Sequence, residues 1–243
     1  MLSLFSSLLL AFPVCAQSSR VVEFAAKDGV RLQADYRPAR KAAPVIVMLH
    51  GVGASRREWD PIVPDLQKLG FGVLQFDARG HGASGGAPYS SYRTAQDWLA
   101  LGQDLDAAID FLKKNGVPEG RIGLMGASIG ANLSLRAALA HPKIPFAVLL
   151  SPGWDYRGVE SAESFLRFQK PLLYAASADD PYSAETCRRF SLSAKNRAAL
   201  FIQGGSGHGV QMFSGEVNRR FRKELLRWLS GRAASSRRSA KKT

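Results

Sequence analysis

Six short, unbroken apolar runs restrict what this 243-residue chain can fold into more than any other feature: VIVMLH (45–50), FGVLQFD (71–77), RIGLMGA (121–127), FAVLLS (146–151), PLLYAAS (171–177) and AALFIQGG (198–205). A strand with one face in water alternates apolar and polar residues. A strand apolar at nearly every position has both faces covered, as in a parallel sheet held between two helical layers. Upstream, VVEFAA and VRLQADY flank Lys27-Asp28-Gly29, an Asp-Gly turn signal, so the domain opens with an antiparallel hairpin.

Helical patterns lie between most of the runs. The clearest covers about 93–114, where Trp98, Leu101, Leu105, Ala108, Ile109 and Leu112 recur at three- and four-residue steps, and Asn115-Gly116 with Pro118 ends it. Weaker helices are expected near 57–69, 129–140, 182–195 and 216–229. A hairpin followed by repeated strand–helix units with right-handed crossovers predicts one α/β domain over 17–230. Its sheet is mostly parallel and eight-stranded, with helices on both faces. With 46% hydrophobic residues the chain can fill such a core, and no internal repeat or linker interrupts it.

The two ends read differently. Residues 1–16, MLSLFSSLLLAFPVCA, combine an apolar stretch of signal-peptide length with small residues ahead of a cleavage point after Ala16, which predicts export to the periplasm or beyond. Retention of this leader, or lipid attachment at Cys15, would anchor the protein to a membrane instead. The stretch is short for a span, which needs about 20 apolar residues. With the leader removed, Cys187 is the one cysteine left, so no internal disulfide is expected and Cys187 reads as a bystander. The formal charge of +13 gathers at the other end: residues 219–243 hold ten Lys or Arg against Glu224, leaving +4 for the other 218 residues. The last part, 231–243, shows no apolar face and is expected to be disordered. It reads as a solvated terminus open to weak contact with an anionic surface or lipid, with no specific nucleic-acid binding expected.

In a sheet of this kind ligands bind beyond the carboxyl ends of the strands. HGVGASRREW follows 45–49, DARGHGASGG follows 71–76, Ser128 with IGAN follows 121–127, ADDPYS follows 171–177 and GGSGHGVQM follows 198–203. The pattern Gly-x-Ser-x-Gly around Ser128 is weak evidence alone. A tight strand-to-helix turn nevertheless needs small flanks, which Gly126 and Gly130 supply, and the following helix turns its positive end toward developing negative charge.

This ordered set of strand-end motifs resembles the α/β-hydrolase fold superfamily over about residues 20–230, in its uncapped serine esterase and dienelactone-hydrolase-like branch. The resemblance implies that Ser128 is the nucleophile of a Ser-His-Asp triad and His208 its base. Asp180 is implied as the orienting acid, with Asp179 as the alternative and the other of the two capping the helix near Pro181. The resemblance also implies an oxyanion hole from the backbone N–H groups of Val52 and Ile129. His50 would shape the oxyanion loop, while Asp77, Arg79, His81 and His141 read as structural.

Only residues 152–170 separate FAVLLS from PLLYAAS, room for a short helix near 161–168 and no large cap. Trp154 and Tyr156 lie beside the expected pocket, either as its apolar wall or as packing for their own loop. The expected activity is carboxylic-ester hydrolysis through an acyl-enzyme. Peptidase or amidase and thioesterase activity share the same triad, and a non-catalytic anion-binding role through the basic tail is the reading from another class. No metal-ligand spacing, Walker lysine or dinucleotide fingerprint is present, so neither metal nor cofactor is expected.

Overall fold

In a computed structural model, which describes residues 19–40, 42–193, 198–205 and 207–239, all eight expected strands form. In chain order they are β1 (Arg20–Ala25), β2 (Arg31–Arg37), β3 (Val45–Leu49), β4 (Gly72–Phe76), β5 (Ile122–Ala127) and β6 (Ala147–Leu150). A two-stranded hairpin follows, β7 (Asp155–Tyr156) and β8 (Val159–Glu160), and then β9 (Leu172–Ser177) and β10 (Ala198–Gln203). The large sheet runs β1-β2-β4-β3-β5-β6-β9-β10. β2 is antiparallel to β1 and to β4, and the remaining pairs are parallel.

Chain order reverses direction between β3 and β5. From β3 the chain moves to β4 on one side; from β5 onward it moves steadily the other way. The connections therefore leave on opposite sides and open a crevice beyond the carboxyl ends of β3 and β5. HGVG and Ser128 flank that crevice.

The alternation of β3 divides the core. Val45, Val47 and Leu49 face one layer, which holds α2 (Ala95–Leu99), α3 (Leu101–Lys114), α4 (Ile129–Ala140), α5 (Ala162–Arg167) and α6 (Pro181–Ser193). Ile46 and Met48 face the other, which holds α1 (Val63–Lys68) and α7 (Arg219–Ser239). Between β6 and β9 stand just the β7–β8 hairpin and α5, so no cap covers the sheet edge. The hairpin turn, Arg157 at φ 57° and Gly158 at φ 84°, has the two positive φ values that match strand twist.

Several expected helices differ in extent. The single helix over 93–114 is two: Thr94 and Asp97 form a capping box that starts α2, and Ala100 carries helical dihedrals into α3, with Gln103 N–H bonded three residues back to the Ala100 carbonyl. The helix near 57–69 is a 3-10 turn over Arg56–Trp59 and then α1, because Pro61 and Pro64 lack the N–H that would join them. The predicted disorder of 231–243 is corrected as far as Ser239. α7 continues that far because its apolar stripe Phe221, Leu225, Leu229 is extended by buried Ala233. Arg232 lies over the Trp228 ring at 4.7 Å. The leader 1–16 and residues 240–243 lie outside the described residues. Among those described, no helix is long and apolar enough to cross a membrane.

Two buried ion-pair clusters tie the strand ends together. Arg56 pairs with Asp35 (3.2 Å) and Asp77, and Arg79 pairs with Asp28 and with fully buried Asp104 (2.8 Å). Asp104 also accepts the Arg79 backbone N–H at 2.8 Å. Its removal leaves a buried guanidinium and an orphaned amide. Asp104→Ala is therefore expected to lower unfolding stability by about 3 kcal/mol, against no more than about 1 kcal/mol for half-exposed Asp28→Ala, as read by chemical denaturation.

Candidate active site

One residue separates β5 from α4, and Ser128 makes that turn with φ 56° and ψ −126°. This is the left-handed region, which costs a non-glycine residue about 1–3 kcal/mol. The Ser128 N–H donates to the Leu150 carbonyl at 2.9 Å and its carbonyl accepts from Ala131 N–H at 2.9 Å, so the strained turn is held from both ends. A Cβ on Gly126 would stand 2.1 Å from the Gly130 carbonyl oxygen, and one on Gly130 would stand 2.4 Å from that of Leu49. Both glycines of the motif are thus demanded by backbone contact.

His208 lies between Gly207 (φ 70°) and Gly209 (φ 59°), both in backbone conformations that favour glycine. Its Nδ1 stands 2.7 Å from Asp180 Oδ2. That partner assigns the hydrogen to Nδ1 and leaves the Nε2 lone pair available. Asp180 immediately precedes α6 and also accepts the Ser183 N–H. Burial works to raise the Asp180 pKa, but the hydrogen bonds from Ser183 and His208 outweigh it and hold the carboxyl below its ordinary value. Asp180 therefore makes both contacts, to His208 and to the first turn of α6, that sequence reasoning divided between two residues, while the Asp179 side chain turns to the Ser177 hydroxyl.

Ser128 and His208 line one cavity of about 230 Å³ with Gly51, Val52 and Glu58. Gly51 packs against the turn so closely that a Cβ there would lie 3.3 Å from Ser128 Cβ. Among the described residues, neither the Val52 nor the Ile129 amide donates to a protein acceptor; that of Ile129 belongs to the open first turn of α4. His50 is buried and bridges the ends of two strands: its Nδ1 is 2.7 Å from the Gly51 carbonyl and its Nε2 accepts the Ala78 N–H at 3.0 Å. Burial drops its pKa to about 4, so the ring is neutral and can make both bonds. His81 stacks on Tyr89, and His141 bonds Asp106 at 2.9 Å.

Trp154 does not line this cavity. Asn132 on α4 donates to the Gly153 carbonyl of the β6–β7 loop and to the Val159 carbonyl of β8, and Trp154 leans on Phe190 with Arg189 over its ring. Tyr156 sits behind the site, its ring 6.4 Å from that of His208 and its hydroxyl bonded to Ser183 and to the Ser151 carbonyl. Burial pushes its pKa up to about 12, against the hydrogen bond to Ser183, so the hydroxyl stays protonated.

Sequence reasoning missed two residues. Ser151, buried at φ 48°, accepts the Gly209 N–H at 2.8 Å and so anchors the histidine loop. Its signal was a lone polar residue ending the run FAVLLS. Glu58 reaches the cavity from the 3-10 turn, seven residues past Gly51, and no local motif marks it. Cys187 is buried on α6, and burial pushes its thiol pKa far up, which leaves it inert.

The family described as serine aminopeptidase, S33 (Hydrolase_4) matches residues 40–196. A polyketide transferase from a Penicillium species, grgF, is 32% identical over 142 residues, covering 56% of this chain and 46% of that protein. The thiohydrolase apmlB of Arthrinium phaeospermum is 33% identical over 136 residues, covering 55% and 43%. The chain thus matches less than half the length of these relatives. The esterase Pf2001 of Pyrococcus furiosus has the same fold at a TM-score of 0.72, with 23% identity over 87% of this chain and 90% of that one. A dienelactone hydrolase from Anabaena variabilis gives 0.70, with 17% identity over 88% and 97%. On a family match that spans well over half of its length and takes in Ser128 and Asp180, this chain belongs to the serine aminopeptidase S33 family of α/β-hydrolases.

Proposed function

We propose that the protein is a serine hydrolase of carboxylic esters working through an acyl-enzyme. The observation that carries this reading is the His208–Asp180 pair at 2.7 Å, with His208 sharing one cavity with the strained Ser128 turn. Ser128 attacks the acyl carbon as His208 Nε2 takes its proton. Asp180 keeps the Nδ1–H tautomer and faces the imidazolium that forms. The negative oxygen then meets the Val52 and Ile129 amides, while the start of α4 adds its positive dipole end. His208 returns the proton to the leaving group, and water repeats the cycle to release the acid. The open edge without a cap favours small acyl esters or the exposed ends of larger molecules.

A thioester reading has its own support. Relatives described as a thiohydrolase and a polyketide transferase match the segment that holds Ser128, and a thioester presents the same acyl carbon. The family's description likewise favours an amide bond as a further comparator. Short- and medium-chain p-nitrophenyl esters, an acyl thioester and an aminoacyl nitroanilide, assayed side by side, rank the three. Ser128→Ala is expected to cut kcat/KM on the preferred substrate by at least about 10³-fold; a change of less than about tenfold would reject Ser128 as the nucleophile.

The acid is tested separately. Asp180→Asn is expected to lower kcat by at least about 100-fold, since the amide favours the wrong His208 tautomer, while Asp179→Asn stays within about twofold of the parent. The opposite ranking would transfer the role to Asp179.

A further inference from the structure

Among the described residues lining the cavity, Glu58 alone is acidic. It rides on a rigid turn: Trp59 beside it is fully buried, and Arg56 is locked to Asp35 and Asp77. Its Oε1 accepts the Gly51 N–H at 3.2 Å, while the Gly51 carbonyl faces His50 Nδ1 at 2.7 Å. Both peptide groups around Gly51 are therefore pinned. A trans peptide is planar, with its N–H and C=O on opposite sides. Holding the Gly51 carbonyl at His50 thus aims the Val52 N–H away from His50, and Val52 lines the same cavity as Ser128.

We propose that Glu58 is a positioning residue for the reaction assigned to Ser128, holding the Gly51 amide and with it the loop that presents the Val52 N–H, and that it works as the neutral acid. The inference rests on the nucleophilic role proposed for Ser128. An ionised carboxylate in this cavity would face the oxygen on which negative charge develops, and the repulsion is strong where water is scarce. The surrounding charges are already engaged. Arg57 on the same turn pairs with Asp35 and Asp60, His50 at the end of β3 is neutral with His81 beyond it, and His208 across the cavity is held by Asp180. No ion pair reaches Glu58 among the described residues. Burial pushes its pKa up to about 7 against the downward pull of the Gly51 amide, so the neutral form prevails below neutrality and is lost above it.

Two variants separate charge from contact. Glu58→Gln keeps an acceptor for the Gly51 amide and never ionises; Glu58→Ala removes both. With Ser128→Ala as the blank, kcat/KM on p-nitrophenyl butyrate is followed from about pH 5.5 to about pH 9. The ratio of Glu58→Gln to wild type is expected to rise from near one at the acid end to about tenfold at the alkaline end, with the contribution of His208 cancelling. Glu58→Ala is expected to stay about tenfold below Glu58→Gln in kcat at every pH with KM little changed, so that its deficit against wild type closes toward the alkaline end. Carbon-13 NMR of the wild-type glutamate carboxyls, with Glu58 identified by the signal missing from Glu58→Gln, is expected to show that group titrating near neutrality. A pH-independent ratio with Ser128-dependent hydrolysis intact would overturn the role of Glu58 alone, as would a Glu58 carboxyl titrating below about pH 5. Hydrolysis that ignores Ser128→Ala would overturn both readings.

Discussion

The close backbone approach of α4 to the end of β3 governs the rest of the site. α4 begins one residue after β5, and Gly130 in its first turn lies where a single added carbon would stand 2.4 Å from the Leu49 carbonyl at the end of β3. This contact brings together the Ser128 turn, the open amides of α4 and the His50–Gly51–Val52 loop. It also keeps Ser128 in its left-handed conformation, because a relaxed turn would swing α4 off the sheet. The strain is small beside what α4 gains by packing: nine of its twelve residues are buried, and each fully buried leucine contributes about 1.5–3 kcal/mol.

A second layer of order comes from polar groups placed where they cannot be hydrated. His50, Arg56, Asp77, Arg79 and Asp104 are all buried and lie beneath the loops that follow β3 and β4. Such groups are costly unless fully paired, so they tolerate few arrangements. His50 illustrates the coupling: burial keeps the ring neutral, and a neutral ring can donate to the Gly51 carbonyl on one side while accepting from Ala78 on the other. One side chain thereby joins the loops at two strand ends, and the Glu58 turn joins the same assembly through Arg56 and Gly51. The Gly51–Val52 loop is thus braced from two directions, by His50 and by Glu58.

The strands were legible because an apolar run buried on both faces has few alternatives, and each of the eight appears within a residue or two of its expected position. Helix limits were less so. The break at Ala100 has no composition signal, and the basic end of α7 hides the single alanine at 233 that carries its stripe one turn further. At the site, the order of motifs along the chain pointed to Ser128 and His208, but Asp179 and Asp180 are chemically identical neighbours, and the direction of α6 separates them. For Trp154 the sequence left pocket wall and loop packing open; the Asn132 bridge to Gly153 belongs to a loop path that leaves it on α6.

The sequence by itself determined the sheet, its two helical layers and the strand ends where chemistry is concentrated, since periodicity and glycine placement act locally and leave local traces. The tertiary structure decided which of those strand ends meet, which aspartate faces His208, and that Glu58 reaches the same cavity as Ser128. These are contacts between segments 28 or more residues apart in the chain. They depend on the reversal of strand order between β3 and β5 and on the backbone contact at Gly130, which arise when the sheet assembles and leave no pattern within any single stretch of sequence.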